Sequence, residues 1–279
     1  MNSSELILNN DGSVYHLSLK LGDVSDTIIT VGDPDRVSKV SALFDSVDFR
    51  TQKREFVTHT GTLSGKRLTV ISTGIGTDNI DVVINELHSL KVLANDLSTP
   101  YKFIRLGTSG AVRPDVKVDS ILISSAAIGL DGLMHFYDWN ESQEEIDELI
   151  AQSEKWKLLP RPYAAMANSE LVNSFSPIAD KLGVTLTAPG FYAPQGRSVN
   201  AQARISDFVD LLGSSTFAGV PITNLEMETA GIYGLASLLG HEAVSISAIL
   251  ANRATGQFSE KGDEVVERMI KKALEVLVG

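Results

Sequence analysis

The segment NLEMETAG, from Asn224 to Gly231, sets two carboxylates, Glu226 and Glu228, around Met227 at the entrance to an apolar run, IYGLASLLG. Residues two apart share a side in extended chain and diverge on a helix. Two glutamates serving one ligand therefore require an extended lead into the helix. Such a pair can act as general acid and base, as metal ligands, or as a clamp on neighbouring hydroxyls. A metal would take further oxygen or histidine ligands nearby. The next residues are Thr229, Ala230 and Gly231, and the five histidines are scattered without an H-x-x-x-H. A carboxylate accepting from vicinal sugar hydroxyls fits better. Acids also gather at helix N-termini because the dipole favours them, which accounts for one glutamate more readily than for two.

Three glycine turns offer a second kind of chemistry: GDPDR (Gly32 to Arg36), STGIGTDN (Ser72 to Asn79) and GTSGA (Gly107 to Ala111). Glycine lets backbone N–H groups approach a ligand, and a helix N-terminus adds partial positive charge for an anion. Singly these are ordinary tight turns. None matches G-x-G-x-x-G or G-x-x-x-x-G-K-[ST], which disfavours a nicotinamide oxidoreductase and a Walker loop. Arginines strengthen the anion reading. Arg36 opens a helix after the first turn, and Arg105 lies inside the apolar strand FIRLG with Thr108 and Ser109 close behind. A buried arginine needs an anionic partner, either an internal carboxylate or a bound phosphate. Arg54, in QKREF, reads by itself as a surface residue.

GFYAPQGR (Gly190 to Arg197) places Phe191 ahead of Gln195 and Arg197. Glutamine offers a donor and an acceptor, and arginine a planar fork. Together they suit the carbonyl-bearing edge of a heterocycle, with Phe191 on its face. Taken without context, the stretch is a Gly/Pro surface loop.

The elements that must position these groups alternate. TIITV (Thr27 to Val31), RLTVIST, FIRLG (Phe103 to Gly107), SILISSAAI (Ser120 to Ile128) and AVSISAILA (Ala243 to Ala251) read as strands. Val37, Val40, Ala42 and Leu43 have helical spacing, as do Ile80, Val83, Ile84, Leu87 and Leu90. A closing helix buries Val266, Met269, Ile270, Ala273, Leu274 and Leu277. Alternation of this kind implies an α/β domain with a largely parallel sheet. The polar stretch Asn140 to Lys157 reads as a solvated surface helix, with a lid as the alternative, and LPRPYAAMANSE after it as loop, then helix. The 279 residues are 43% hydrophobic, enough for a sizeable core, and carry a net charge of −11. That balance disfavours nucleic acid and anionic membranes as partners. With no cysteine, thiolate chemistry and disulfides are excluded, and a reducing compartment fits. The N-terminus carries no signal-peptide pattern and no apolar run is long enough to span a bilayer, so a cytoplasmic protein is expected.

In combination, VGDPDRVSKV, REF (Arg54 to Phe56), STGIG, FIRLGTSGAV, IGLDG, FYAPQGR, NLEMETA and ANR (Ala251 to Arg253) resemble the nucleoside phosphorylase family, nearest to its uridine-cleaving members. The pieces stand in family order across most of the chain. The resemblance implies one domain over residues 1–279, a three-layer fold with a central mixed, largely parallel sheet flanked by helices. It implies reversible phosphorolysis of uridine to uracil and ribose 1-phosphate in nucleoside salvage, with phosphate as co-substrate and no cofactor. Gly32, Arg36, Arg105 and Thr108 would hold phosphate, with Arg54 lent by a neighbouring subunit. Glu226, Met227 and Glu228 would hold ribose, with His16 reaching the 5′-hydroxyl of the neighbour's nucleoside. Phe191, Gln195 and Arg197 would hold the base, with Arg253 behind Gln195. Shared sites imply a homodimer as the minimal unit, alone or in a hexamer of three dimers.

Two departures stand out. After STGIG the family usually has proline and serine, and this chain has Asp78 and Asn79. In some relatives this loop helps bind a monovalent cation between subunits, which here would fall to Glu55, Ile75 and Asn79. Residues 140–157 read as a helical surface insertion. Purine-acting relatives place an aspartate after the late strand, where this chain reads ILANRATG. The competing expectations are a purine nucleoside phosphorylase or nucleosidase of the same fold, and a nucleoside-binding protein without turnover.

Overall fold

The computed structural model describes residues 4–157 and 161–279. The first glycine turn joins β1 (Thr27–Val31) to α1 (Pro34–Ser41). Asp33 caps this helix by accepting from the Asp35 N–H, and Pro34 occupies the first turn, where no N–H partner is needed. Val37 and Val40 are buried. Ala42 and Leu43, expected on the same face, fall past the helix end and are exposed, and Phe44 turns inward instead. Next come β2 (Ser46–Lys53), β3 (Phe56–Leu63) and β4 (Lys66–Ser72), an antiparallel meander. The second glycine turn leads to α2 (Thr77–Leu93), which buries the expected Ile80 to Leu90 stripe. Then follow β5 (Lys102–Ala111), β6 (Ile121–Gly129), α3 (Gln143–Trp156), β7 (Tyr163–Met166), α4 (Ser169–Phe175) and β8 (Lys181–Thr187). The chain ends with α5 (Phe208–Gly213), β9 (Thr216–Phe217), β10 (Val220–Glu226), α6 (Thr229–Leu238), β11 (Glu242–Asn252), β12 (Gln257–Phe258) and α7 (Gly262–Val278).

One mixed sheet joins these strands. β4, β1, β5 and β11 run parallel, and so do β6, β8 and β10. The two parallel groups meet antiparallel at β11–β6 and at β10–β5. Because β5 pairs with both β10 and β11, the strands β5, β11, β6, β8 and β10 close a ring. This closure brings Glu226, at the end of β10, beside Ser109 and Gly110 of β5. Helices cover both faces: α2 and α6 share one apolar cluster with Phe103 and Tyr101, and α1, α4 and α7 share another with Ile104 and Ile246. α6 is buried on all sides, and its glycines are required there. A Cβ on Gly234 would press on the Met134 side chain, and one on Gly231 would meet Thr77.

The polar stretch is α3, opened by a capping box between Ser142 and Glu145. It is amphipathic rather than fully solvated: Leu149 and Trp156 are fully buried with Phe208 and Leu212. The LPRPYAAMANSE block departs from expectation. Tyr163–Met166 is a strand paired with β6 before α4 begins; Leu159 and Pro160 lie outside the described residues. Among the described residues, no helix is long and apolar enough to cross a membrane.

Candidate active site

Glu226 ends β10 in extended chain, whereas Glu228 stands in the bend just before α6 with φ −137° and ψ −31°, so only the first of the pair is extended. Both side chains turn to Arg105. Its Nη2 is 2.9 Å from Glu226 and 2.6 Å from Glu228. The two glutamates are not equivalent. Glu226 accepts from the N–H groups of Glu228 and Thr229 and from the Thr187 hydroxyl at 2.6 Å. It thereby caps α6 and is saturated by the protein. Glu228 accepts only the Gly76 N–H besides Arg105, which ties the second glycine turn to the glutamate pair. Burial, then the Glu226 charge, raises the Glu228 carboxyl above the usual range, against the pull of Arg105. Burial opposes the charge on Arg105, but the two carboxylates outweigh it and hold its pKa above the ordinary value.

The third glycine stretch is not a turn: Gly107 to Ala111 continue β5 as strand, and its first glycine has a physical reason. Gly107 lies two residues after Arg105 on the same strand face, and a Cβ there would overlap the guanidinium. The arginine folds back over its own strand only because that side chain is missing. Arg36 reaches the same region with Nη1 3.4 Å from the Leu106 carbonyl. Its pKa is lowered, chiefly by burial and also by Arg105. Arg36 forms no salt bridge among the described residues, and a half-buried cation of this kind suits an anionic ligand.

Across the loop after β8, Arg197 Nη1 donates to Gln195 Oε1 and to the Phe191 carbonyl, both at 2.6 Å. Its guanidinium lies 3.8 Å from the Phe191 ring centroid. Arg253 supports the loop from behind, donating to the Gln195 carbonyl at 3.1 Å. Burial and the Arg253 charge push the Arg197 pKa down to about 10. Gln195 is only 3% exposed, and Phe191 is 52% exposed. The stretch is thus a built polar edge rather than a plain surface loop.

All of this opens on one cavity of about 680 Å³, ample for a nucleoside and an anion. A family model described as the phosphorylase superfamily matches residues 26–278. The chain belongs to the phosphorylase superfamily. A uridine phosphorylase of Thermococcus kodakarensis is 30% identical over 99% of this chain and 90% of that protein. A purine nucleoside phosphorylase of Colwellia psychrerythraea is 28% identical over 93% of this chain and 97% of that protein. A solved Trypanosoma brucei nucleoside phosphorylase, described as showing uridine phosphorylase activity, superposes with a TM-score of 0.88 at 31% identity, covering 98% and 99% of the two chains.

In this phosphorylase the cavity is lined by Gly32, Arg36, Arg105 and Thr108, by Glu226, Met227 and Glu228, and by Phe191, Gln195 and Arg197. Glu55, Ile75 and Asn79 border it too. Arg253 stands behind it. His16 and Arg54 are not among the lining residues: His16 is held by Glu86 on α2, and Arg54 sits exposed at the β2–β3 corner with φ +56°. No residue of α3 is among the lining residues. Sequence reasoning missed Leu225, Leu250, Ala251 and Phe258 in the lining, and missed Thr187. Leu225 lies within NLEMETA and Ala251 within ANR, so those motifs already carried a signal for them.

Proposed function

We infer that this chain catalyses the reversible phosphorolysis of uridine to uracil and ribose 1-phosphate. The observation that carries the reading is that a paired Gln195–Arg197 edge and the Arg36–Arg105 cations open on one cavity, with the Glu226–Glu228 pair lining it as well. This arrangement supports the following site roles. Phosphate sits against Gly32, Arg36, Arg105 and Thr108. Ribose hydroxyls donate to Glu228, while Glu226 holds Arg105 and the α6 N-terminus in place and Met227 packs on the sugar. The base edge meets Gln195 and Arg197.

The C1′–N1 bond lengthens first and leaves positive charge on the sugar. A phosphate oxygen held on the opposite face then bonds C1′, and the electron pair leaves with uracil. The arginines act by position and charge. Gln195 and Arg197 stabilise the departing base at its carbonyls, so no carboxylic acid is required beside it.

The same reading makes the working unit a homodimer with shared sites. His16 and Arg54 are absent from their own chain's cavity lining; in this reading His16 serves the partner's 5′-hydroxyl and Arg54 the partner's phosphate. Glu55 and Asn79 flank Gly74, where a Cβ would meet the Glu55 side chain and the Asn79 Nδ2, and that Nδ2 donates to the Ile75 carbonyl at 3.4 Å; a cation would take the Glu55 carboxylate, the Ile75 carbonyl and the Asn79 amide oxygen. These oxygens are of the type a monovalent cation takes at a subunit contact. A cytoplasmic setting accords with a cysteine-free chain. The test of substrate class is cleavage of uridine, thymidine and inosine at equal concentration with phosphate present. Uridine is expected to lead inosine by several orders of magnitude, since a site built to hydrogen-bond a group rejects analogues lacking it by about 10⁴-fold. Inosine as the better substrate would assign the cavity to purines.

A further inference from the structure

Glu86 is a carboxylate of α2 whose side chain is 10% exposed. All of its hydrogen bonds go to one dipeptide. Its Oε1 lies 2.6 Å from His16 Nδ1, and its oxygens accept the His16 N–H at 2.9 and 3.0 Å and the Leu17 N–H at 2.9 Å. The opposite side of the same stretch is held by a cation. Lys53 Nζ bonds the Tyr15 carbonyl and Asn9 Oδ1, and lies 4.5 Å from the Tyr15 ring centroid. Val14, Leu17 and Leu19 are fully buried around this clamp. Anchoring the segment would need no contact to the imidazole, because three buried apolar side chains and the backbone bonds already do so. The bond to Nδ1 does something else. A carboxylate there keeps the proton on Nδ1, so the neutral ring presents Nε2 as an acceptor. That nitrogen does not face its own chain's cavity, which His16 does not line.

We propose that Glu86 is a positioning residue for the subunit-shared site: it fixes the His16 tautomer and ring orientation so that Nε2 accepts the 5′-hydroxyl of the nucleoside bound by the neighbouring subunit. The proposal rests on the reading that His16 serves the partner's sugar. It makes the selected ligand a nucleoside with an unsubstituted 5′-hydroxyl. The same Lys53 that holds Tyr15 adjoins Arg54 in sequence, which ties the His16 segment to the β2–β3 corner.

The experiment compares uridine with 5′-deoxyuridine in the wild-type enzyme, in His16→Ala and in Glu86→Gln. The wild type is expected to prefer uridine by roughly 10-fold in kcat/KM, the worth of one hydrogen bond to a polarised group. Both variants are expected to bring the ratio close to one, chiefly through KM for uridine, with KM for phosphate little moved. Glu86→Asp, which keeps the charge but draws back from the ring, is expected to restore part of the preference. If Glu86→Gln loses activity on both substrates equally and keeps the ratio, while His16→Ala abolishes it, Glu86 is a structural anchor and the proposal fails alone. If His16→Ala keeps the wild-type ratio, the reading of His16 fails and takes the proposal with it. A measurement on the wild type covers the case of a misfolded variant. The ¹⁵N shifts of the neutral His16 ring are expected to show a proton on Nδ1, and a proton on Nε2 would overturn the assignment.

Discussion

Arg105 Nη2 lies 2.6 Å from Glu228 Oε2, across 123 residues of sequence. In the proposed site, the cation assigned to phosphate therefore also holds the carboxylate assigned to ribose. A shared group couples the two ligands: phosphate that draws on Arg105 changes the charge felt by Glu228, and bound ribose does the reverse. By linkage the effect is reciprocal, so saturating phosphate is expected to change uridine affinity, and uridine to change phosphate affinity, by the same factor.

Gly107→Ala places a methyl group where the Arg105 guanidinium lies. The arginine must leave its folded-back pose, while the strand itself tolerates alanine. Activity is expected to fall about 10²- to 10³-fold, the usual cost of losing one well-placed charge-stabilising group, with a normal circular-dichroism spectrum. Steady-state kinetics with varied phosphate check this; unchanged kcat/KM for phosphate would show that Arg105 does not orient the anion.

The two glutamates are expected to separate stability from catalysis. Glu226→Gln turns an amide toward the N–H groups of Glu228 and Thr229, which Glu226 now accepts, and is expected to destabilise by about 3 kcal/mol. Glu228→Gln disturbs fewer protein bonds and is expected to cost little stability but to lower kcat/KM for uridine roughly 10- to 100-fold. Thermal melts and kinetics of both variants decide between this division and equal roles.

How much of this was open to a reader of the sequence depended on burial chemistry. TIITV, the Ile80 to Leu90 stripe and the closing helix are apolar and periodic, and each appears where the pattern puts it. β2 escaped because SVDFRTQK carries no continuous apolar run and its pattern alternates only between exposed and half-buried. β8 and the body of β10 escaped for another reason. Their interior is polar: Thr185, Thr187, Thr223 and Asn224 are fully buried. They bond one another and the site, as in Thr185 to Asn224 at 2.9 Å and Asn224 to Ser109 at 2.7 Å. Hydrophobic periodicity cannot register strands of that kind. The site motifs were visible as types and spacings. That Arg105 pairs with Glu226 and Glu228 was not, because the partner of a buried arginine lies more than a hundred residues away and only the ring closure of β5 and β10 brings them together.

Acid should loosen the fold where His88 of α2 meets His241, in the turn between α6 and β11. The Tyr101 N–H donates to His241 Nδ1, and His241 Nε2 is 3.1 Å from His88 Nδ1. Burial first, then His88 and Lys91, lower the His241 pKa from 6.5 to about 4; burial lowers His88 as well. The folded state thus binds fewer protons than the unfolded chain. This contribution is complete above pH 6.5, shrinks as pH falls toward 4 and is gone below that. His241→Gln removes the titration. The difference in Tm between wild type and variant is expected to move in the variant's favour as pH drops from about 7 to about 4.5, and a constant difference would contradict it.

Sharing of sites between chains predicts complementation. His16→Ala impairs the partner's site, and Arg105→Ala impairs its own. In a mixed dimer one site receives an intact body from the first chain and an intact histidine from the second. Refolding equal amounts together makes half the dimers mixed, and restores roughly a quarter of all sites. Uridine phosphorolysis by the co-refolded sample is compared with separately refolded controls. Verified mixed dimers with no gain would show that His16 serves its own chain or none.

The central claim is that phosphate, not water, attacks the sugar. The most direct measurement follows uridine and its products by ³¹P NMR and base release, in phosphate buffer and in phosphate-free buffer of equal ionic strength. Uracil and ribose 1-phosphate are expected in equal amounts with phosphate present, with no base release without it. Uracil released at the same rate in phosphate-free buffer, with free ribose as the co-product, would contradict it and make the enzyme a hydrolase.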